Sequence, residues 1–391
     1  MPEQNAKSQA KAWGLRFVLL FGAVNLFGDM TYEGARSVLG PFLATLGASG
    51  FLVGAVTGFG ELLGYTLRFV SGRWADRSHL YWPITLLGYA VQMAAVPTLA
   101  LAGHWSVAAA LIVLERIGRA VRNPPRDVML AQAGEGMGRG WAFGVNEALD
   151  QLGAFIGPLI TAAVLARGGQ YGLAFAILAA PALITFALVL VARVKFPDAG
   201  RISHKDSQEH RDGYPSAFWW YVAGACLVAF GFADFSLVAY HLSKAGIVPG
   251  PWIPVFYALS MAAGGLGSLV LGRIYDKVGL IVLVPITLLV TAYVPLAFLG
   301  GFWLALAGTL LWGIGLGAHE SVMQAALPDL LGKDRLGSAY GLFGACFGIA
   351  WFLGSTALGA LYDTSVTAAV ALGVVAQLAA VGPIVVAARK R

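Results

Sequence analysis

The sequence predicts an all-α membrane protein of twelve transmembrane helices, arranged as two pseudo-symmetric six-helix halves. Long apolar stretches fill the chain, one short charged motif occurs twice, and basic residues gather in alternate gaps between the stretches. Of the 391 residues, 58% are hydrophobic and 12% are charged, whereas a soluble domain carries about 25% charged residues. This composition excludes an ordinary soluble fold, because too few polar residues are present to cover its surface.

The apolar stretches follow one another along the chain, and each is long enough for a crossing of about 20 residues. They predict spans at 14–46, 50–72, 82–103, 105–122, 140–166, 170–193, 217–243, 252–272, 280–299, 301–325, 338–361 and 365–388. Residues 196–215 form the one long polar stretch and predict a cytoplasmic linker. The predicted halves are therefore 1–195 and 216–391.

Basic residues predict the orientation of these spans. Lys and Arg collect in cytoplasmic loops, and here they occupy every second gap, while the other gaps hold only Arg167 and Lys244 near their edges. Both ends of the chain are basic as well. We therefore expect a multi-pass protein of the plasma membrane, the inner membrane of a bacterium, with both termini in the cytoplasm. The formal charge of +6 reports this topology, and no nucleic-acid partner is expected.

Several short matches indicate that the two halves arose by duplication. The run that follows span two, with Gly72, Asp76 and Arg77, returns after span eight as Gly272, Asp276 and Lys277. Asp29 in span one likewise corresponds to Asp234 in span seven. Parallel six-span halves of this kind are a standard plan of secondary transporters.

These residues resemble the major facilitator superfamily, and the resemblance covers essentially the whole chain. The repeated run resembles the loop signature of the superfamily, and it implies a conformational latch made by Gly72, Asp76, Arg77, Gly272, Asp276 and Lys277. Gly153, Gly157 and Pro158 resemble the signature of its proton-coupled antiporters, although Ile160 and Thr161 replace the glycines that usually follow the proline. The small residues also suit close helix packing, which is the simpler interpretation of that run.

Ionisable residues inside the apolar stretches are the candidates for function, because each costs about 2.5–3.5 kcal/mol to insert. In span one, Asp29, Glu33 and Arg36 share one face of the helix. The full set of candidates for substrate or proton binding is Asp29, Glu33, Arg36, Glu147, Asp150, Asp234, His241, His319 and Glu320. A structural ion-pair network is expected instead for Glu115, Arg116 and Arg119, at a depth similar to that of Glu147.

Three classes of function stay open. The leading one is a secondary active transporter that moves a small solute by alternating access, with proton-coupled efflux (antiport) of a cationic or neutral compound and Asp29 as the coupling carboxylate. Proton-coupled uptake by symport is an alternative within this class. The second class is export of a divalent metal ion by Asp29, Glu33, Asp234 and His241, whose oxygen and nitrogen atoms suit such an ion. The third is a non-transporting membrane receptor or an enzyme, for which the sequence shows no nucleophile and base arrangement.

The expected partners follow from this plan: the lipid bilayer, protons, and a small molecule or ion as substrate. The sequence suggests no cofactor, and a phosphate-binding motif for ATP hydrolysis is absent. Two cysteines in apolar stretches, Cys226 and Cys346, predict no disulfide framework. We expect a monomer.

Overall fold

A computed structural model describes residues 2–134, 139–199, 214–331 and 336–390, and their regular structure is helical. The first helices are α1 (Pro2–Arg36), α2 (Leu39–Thr45), α3 (Gly50–Ser78), α4 (Tyr81–Thr98), α5 (Trp105–Ala133), α6 (Arg139–Ala166), α7 (Tyr171–Ile177) and α8 (Ala179–Lys195). They are followed by α9 (Ser216–Gly231), α10 (Phe235–Lys244), α11 (Trp252–Val278), α12 (Leu283–Thr291), α13 (Tyr293–Leu299), α14 (Phe302–Leu331), α15 (Leu336–Thr364) and α16 (Val366–Arg389).

Ten segments of the described chain are long and apolar enough to cross a membrane. One of them, Trp252–Leu299, contains 48 residues, which at 1.5 Å per residue is too long for one crossing of about 30 Å. It holds both the eighth and the ninth predicted span. Helix α5 is not among the ten, although it has 29 residues, because Glu115 and several arginines interrupt its apolar surface. Counting α5 and dividing the long segment gives the twelve predicted crossings.

Spans one and seven are broken helices, so the prediction of continuous spans was wrong there. Helix α1 ends at Arg36 and α2 begins at Leu39, because Pro41 has no amide hydrogen to bond the carbonyl of Ser37. In span seven, residues 232–234 are not helical. The Asp234 carboxylate accepts a hydrogen bond of 2.8 Å from the Ser236 amide and caps α10.

Helix α5 is longer than the predicted fourth span, which ended at Arg122. The residues after 122 were expected to form a connection, but the helix continues through Pro124 and Pro125 to Ala133. A proline at position 124 removes the hydrogen bond to the Ala120 carbonyl. The Ser71 hydroxyl of α3 donates a hydrogen bond of 2.9 Å to that carbonyl instead. The Ala120 carbonyl therefore still has a partner, and the helix can continue past the proline.

The helices form two compact units. Unit 1 consists of Met1–Arg36 and Leu67–Lys205, and unit 2 consists of Ser37–Thr66 and Asp206–Arg391. Phe196 and Ala199, at the start of the predicted linker, are buried, and the Trp82 indole donates a hydrogen bond of 3.1 Å to the Phe196 carbonyl. Residues 200–213 lie outside the described part of the chain, so the predicted halves and linker stay a prediction.

Close backbone contacts hold the helices of each unit together. In unit 1, a side chain at Gly153 or Gly157 of α6 would meet the carbonyl oxygen of Leu26 or Met30 in α1. In unit 2, a side chain at Gly354 of α15 would meet the Phe230 carbonyl of α9 in the same way. Gly157 and Gly354, which fall at matching positions when the two halves are aligned, therefore make corresponding helix contacts.

Residues 37–66 are held in unit 2 by polar contacts at their ends. The Asp363 carboxylate accepts hydrogen bonds of 2.8 Å from the Gly50 amide and 2.8 Å from the Phe51 amide, which are orphan donors at the start of α3. The Tyr240 hydroxyl of α10 donates a 3.2 Å hydrogen bond to the Ala48 carbonyl.

Candidate functional site

The polar stripe of α1 is buried inside unit 1. Asp29 is 3% exposed, and Glu33 and Arg36 are each 6% exposed. Helix α5 packs against α1 and supplies arginines at a spacing of three residues, namely Arg116, Arg119 and Arg122. This spacing keeps them on one face of α5, and the stripe on α1 therefore lies in a strongly charged interior.

Tyr32 lies at the centre of the arginines. Its ring centroid is 4.2 Å from the Arg119 guanidinium carbon, 4.9 Å from that of Arg116 and 5.9 Å from that of Arg36. Arg116 also donates a hydrogen bond to the Tyr32 hydroxyl. The negative face of the ring stabilises cations in this position, so one tyrosine helps to hold three of them.

A chain of hydrogen bonds connects α4 with α5 behind this ring. Arg122 is 1% exposed and donates to the side-chain oxygen Oε1 of Gln92 at 2.5 Å and to the Tyr89 hydroxyl at 2.8 Å. The Gln92 amide in turn donates to Glu115 at 2.8 Å. Glu115 also lies 3.7 Å from Arg116. Arg116, Arg122 and Glu115 are therefore joined to α1 and α4 by polar contacts, and their structural role stays a prediction.

Asp29 differs from these paired groups. Its Oδ1 atom is buried and has no hydrogen-bond partner among the described residues. It lies within electrostatic reach of Arg119 and Arg122 of α5 and of Asp150 of α6. A buried carboxylate in this state is unusual, because buried polar groups are generally hydrogen-bonded.

Asp150 is partly buried on α6, and Arg119 and Arg126 lie within its electrostatic reach. Glu147, one turn earlier on the same helix, is exposed and accepts a hydrogen bond of 3.0 Å from Gln151. The structure thus brings Asp29 and Asp150 close to one another. It gives Glu147 a surface partner rather than a place in the arginine network.

The candidates in unit 2 do not form one cluster. Asp234 is used as the cap of α10, while the His241 imidazole bonds the Tyr362 hydroxyl at 3.1 Å. His319 of α14 packs edge-on against Phe232, with ring centroids 4.7 Å apart. The side chain of Glu320 lies outside the described part of the structure.

The two copies of the repeated loop motif differ in their surroundings. In unit 1, Gly72 of α3 lies against Pro124 of α5, and the Asp76 carboxylate accepts a hydrogen bond of 3.1 Å from the Tyr81 hydroxyl. Arg77 is exposed. In unit 2, Asp276 and Lys277 at the end of α11 are both exposed, and the space beside Gly272 is open. The latch role of these residues stays a prediction.

In the part of the chain that the structure describes, no group of three or more His, Cys, Asp or Glu residues is arranged to hold a metal ion. The hypothesis of a metal exporter therefore gains no support from the geometry of either unit.

Sequence reasoning missed the network behind Tyr32. It placed Arg122 at the end of a span and gave no role to Tyr89 or Gln92. A signal was present, because Tyr89 and Gln92 are three residues apart on span three, and Arg116, Arg119 and Arg122 repeat that spacing on span four. Such spacing puts polar groups on one helix face and predicts that two spans pair through them.

Comparison with known proteins identifies the family. Residues 19–388 match the family model of the Major Facilitator Superfamily. The chain belongs to this superfamily. It is accordingly a multi-pass membrane protein and a secondary transporter, and it is not an enzyme. The fold class predicted from the sequence is confirmed.

Similar proteins agree with this membership of the superfamily. An uncharacterised protein of Mycobacterium tuberculosis is 40% identical over 376 residues, which cover 94% of this chain and 91% of the relative. The peptide transporter POT, solved with sulfate, aligns with a TM-score of 0.77 at 15% identity over 97% of both chains. A bacterial homologue of the human lysosomal transporter Spinster aligns with a TM-score of 0.73 at 17% identity, over 97% of this chain and 96% of the other. At this level of identity, the two structures show that the fold is shared.

Proposed function

We propose that this superfamily member exports a small cationic or neutral solute in exchange for protons, and that proton and solute compete for Asp29. The observation that carries the proposal is the buried Asp29 carboxylate, whose Oδ1 atom has no hydrogen-bond partner among the described residues. An ionisable group held in this state inside a membrane protein is by default a candidate for a transport pathway.

The charges around Asp29 support a positive partner. Arg126 is paired with Asp127 at 2.7 Å, and Arg122 lies within electrostatic reach of Glu115. Arg119 lies within electrostatic reach of Asp29, Glu33, Glu115 and Asp150. Asp29 and Asp150 are close enough to repel one another, and a proton or the positive group of a solute between them would relieve that repulsion. The same site is thus suited to either occupant in turn, which is the requirement for exchange.

Export is favoured by the sequence run with Gly153, Gly157 and Pro158, which resembles that of proton-coupled antiporters. The close backbone contact of both glycines with α1 supports this proposal, since tight packing of α6 on α1 excludes water beside Asp29. Exclusion of water is needed to prevent a proton leak in an antiporter.

The proposal is tested with Asp29→Asn in reconstituted vesicles. With tetraphenylphosphonium as the probe, the natural protein is expected to drive probe movement when a proton gradient is imposed. The Asn variant cannot release a proton at this position, so proton-driven movement should be lost, while exchange of probe for probe is partly kept. Because a misfolded protein would also lose the exchange of probe for probe, retained exchange shows that the variant is folded and lacks only proton coupling.

Asp198→Asn is the matched control, because Asp198 is exposed beyond the end of α8 and its charge is removed in the same way. It should retain the full response to the gradient. Full proton-driven movement in Asp29→Asn would transfer the role to Asp150 or Asp234. Accumulation of the probe along an inward proton gradient would replace export with uptake by symport.

A further inference from the structure

Six aromatic side chains of unit 2 surround the break in span seven. We call them the Phe232 cluster, and its members are Phe232, Tyr293, Trp312, His319, Phe347 and Trp351. From the Phe232 ring centroid, the other rings lie at 4.7 Å (His319), 5.2 Å (Tyr293), 5.5 Å (Trp351) and 5.8 Å (Trp312). Phe347 lies 5.7 Å from Trp351 and 6.1 Å from His319. Four of the six rings carry a polar atom.

Two of these polar atoms hold the non-helical backbone at the break. The Tyr293 hydroxyl accepts a hydrogen bond of 2.7 Å from the Ala233 amide, and the Trp312 indole donates one of 2.9 Å to the Ala233 carbonyl. Backbone groups that leave a helix inside a membrane need such partners. Tyr293 and Trp312 therefore have a structural role that explains both their burial and their polar atoms.

The polar atoms of the other two rings are not used in this way. The Trp351 Nε1 and His319 Nδ1 atoms are buried, and neither has a hydrogen-bond partner in the described part of the chain. Trp351 is 3% exposed, and its ring lies 6.5 Å from that of His319. A cluster made for packing alone would place phenylalanine at these positions, as it does at Phe347, because an unmet polar atom costs free energy.

The chemistry of the two atoms limits which ligand can bind them. An indole N–H is a donor only, whereas a neutral imidazole offers one donor and one acceptor. The surrounding ring faces favour a flat apolar group in a stacked or edge-to-face arrangement. His319 is partly exposed, whereas Trp312 is fully buried, so a ligand would approach the cluster from the side of His319.

We propose that His319 and Trp351 bind an aromatic heterocycle of the transported solute, with the Trp351 indole donating a hydrogen bond to an acceptor on that ring. The proposal rests on the proposed function, since it names the class of solute that the exporter carries. It adds a requirement that the carboxylate at Asp29 does not impose, namely a ring with a hydrogen-bond acceptor.

The test compares two probes of similar shape with the purified full-length chain. 4-Quinolone has two fused rings and a carbonyl acceptor, and naphthalene has two fused rings without one. Dissociation constants are obtained from the dependence of the unfolding temperature on probe concentration. We expect 4-quinolone to bind about threefold to tenfold more tightly than naphthalene, because only the carbonyl satisfies the buried N–H group.

Trp351→Phe keeps the ring and removes the N–H group. It should weaken binding of 4-quinolone about threefold to tenfold, the range of one neutral hydrogen bond, and leave naphthalene binding unchanged. His319→Phe is a second variant with the same expected pattern, in case the first is unstable. Trp303→Phe is the matched control, because Trp303 is 76% exposed on the same helix as His319, and it should change neither constant.

Equal binding of the two probes, or weakening of both to the same extent by Trp351→Phe, would show that the cluster only packs and would overturn the proposal. A failure of the proposed function is seen separately. It appears as proton-driven movement of tetraphenylphosphonium by Asp29→Asn, which does not depend on how 4-quinolone binds.

Discussion

Hydrogen-bond partners distinguish the charged residues of unit 1 from one another. Arg122 is bonded to Gln92 and Tyr89, and Glu115 is bonded to Gln92. Asp29 is as deeply buried as these groups, yet its Oδ1 atom is not bonded to any described residue. Burial alone therefore does not indicate function in this interior. Arg122 and Glu115, which have hydrogen-bond partners, are suited to hold two helices together. Asp29, whose Oδ1 atom has none among the described residues, is suited to bind a transient partner.

Arg122→Lys tests the structural role of the hydrogen-bonded Arg122 guanidinium. A lysine places its donors on one nitrogen, so it cannot span Gln92 and Tyr89 together as the guanidinium does. Breaking a buried network of this kind costs on the order of 3–5 kcal/mol, and we expect a clearly lower unfolding temperature of the detergent-solubilised protein. Arg273→Lys, at an exposed position of α11, is the control and should leave the temperature unchanged. An unchanged unfolding temperature of the Arg122→Lys protein would mean that the network is not needed for stability.

The sequence could predict some of these residues and not others. Asp29, Glu33 and Arg36 were found because their spacing places them on one face of a single helix. Arg122 was assigned to the end of a span because the apolar stretch ends there and basic residues follow. The hydrogen bond from Ser71 to the Ala120 carbonyl, which lets the helix continue, joins residues that are far apart in the sequence. A local sequence pattern therefore cannot predict this hydrogen bond.

At the scale of helices, close contact depends on where glycine faces a neighbour. Gly157 of α6 faces the backbone of α1, while Gly144 on the same helix faces open space. Alanine is the better helix former by about 1 kcal/mol, so helix propensity alone would make both substitutions to alanine stabilising. The backbone contact of Gly157 with α1, which Gly144 lacks, is expected to make the two substitutions differ in their effect on stability.

Gly157→Ala should lower the unfolding temperature and the yield of folded protein, because its methyl group would meet the Met30 carbonyl and push α6 away from α1. Gly144→Ala is the matched control and should be neutral or slightly stabilising. Both are measured by thermal unfolding of the purified protein. Equal stability of the two variants would mean that α1 and α6 separate without cost, and the argument for a sealed contact beside Asp29 would fail.

The broken helices show what sequence reasoning lacks at this scale. Hydropathy located spans one and seven correctly, but it is insensitive to an interruption of two or three residues. In span seven the break is stabilised by Tyr293 and Trp312, which come from α13 and α14. Ala233 can be non-helical inside the bilayer only because these two side chains, distant in the sequence, bond its amide and its carbonyl.

For the whole molecule, the decisive element is α5, whose charges exclude it from the candidate spans. Glu115, Arg116 and Arg122 have hydrogen-bond partners on α1 and α4, so a helix that is too polar to cross alone can cross as part of a bundle. Family membership and the predicted alternation of basic loops both require this crossing. The same charges that remove α5 from the apolar candidate spans therefore have partners that allow it to lie inside the bundle.

Single cysteines test this crossing and the orientation of the chain. With Cys226 and Cys346 replaced by serine, we expect cysteine at Ser106, in the first turn of α5, and at Gln170, after α6, to react with an impermeant maleimide on intact cells. Both positions are exposed. Two crossings separate them, so they must lie on the same side of the membrane. If α5 did not cross, they would lie on opposite sides and only one would react.

Cysteine in place of Lys195 or Lys390 is the control for the cytoplasmic side. Both lysines are exposed and belong to the basic gaps, which we expect inside the cell, so these two variants should react only after the cells are broken. Reaction of all four positions on intact cells would indicate leaky membranes. The reverse pattern, with Lys195 and Lys390 labelled from outside and Ser106 and Gln170 protected, would keep the twelve crossings but invert the chain. The direction of proton-driven transport would then have to be assigned again.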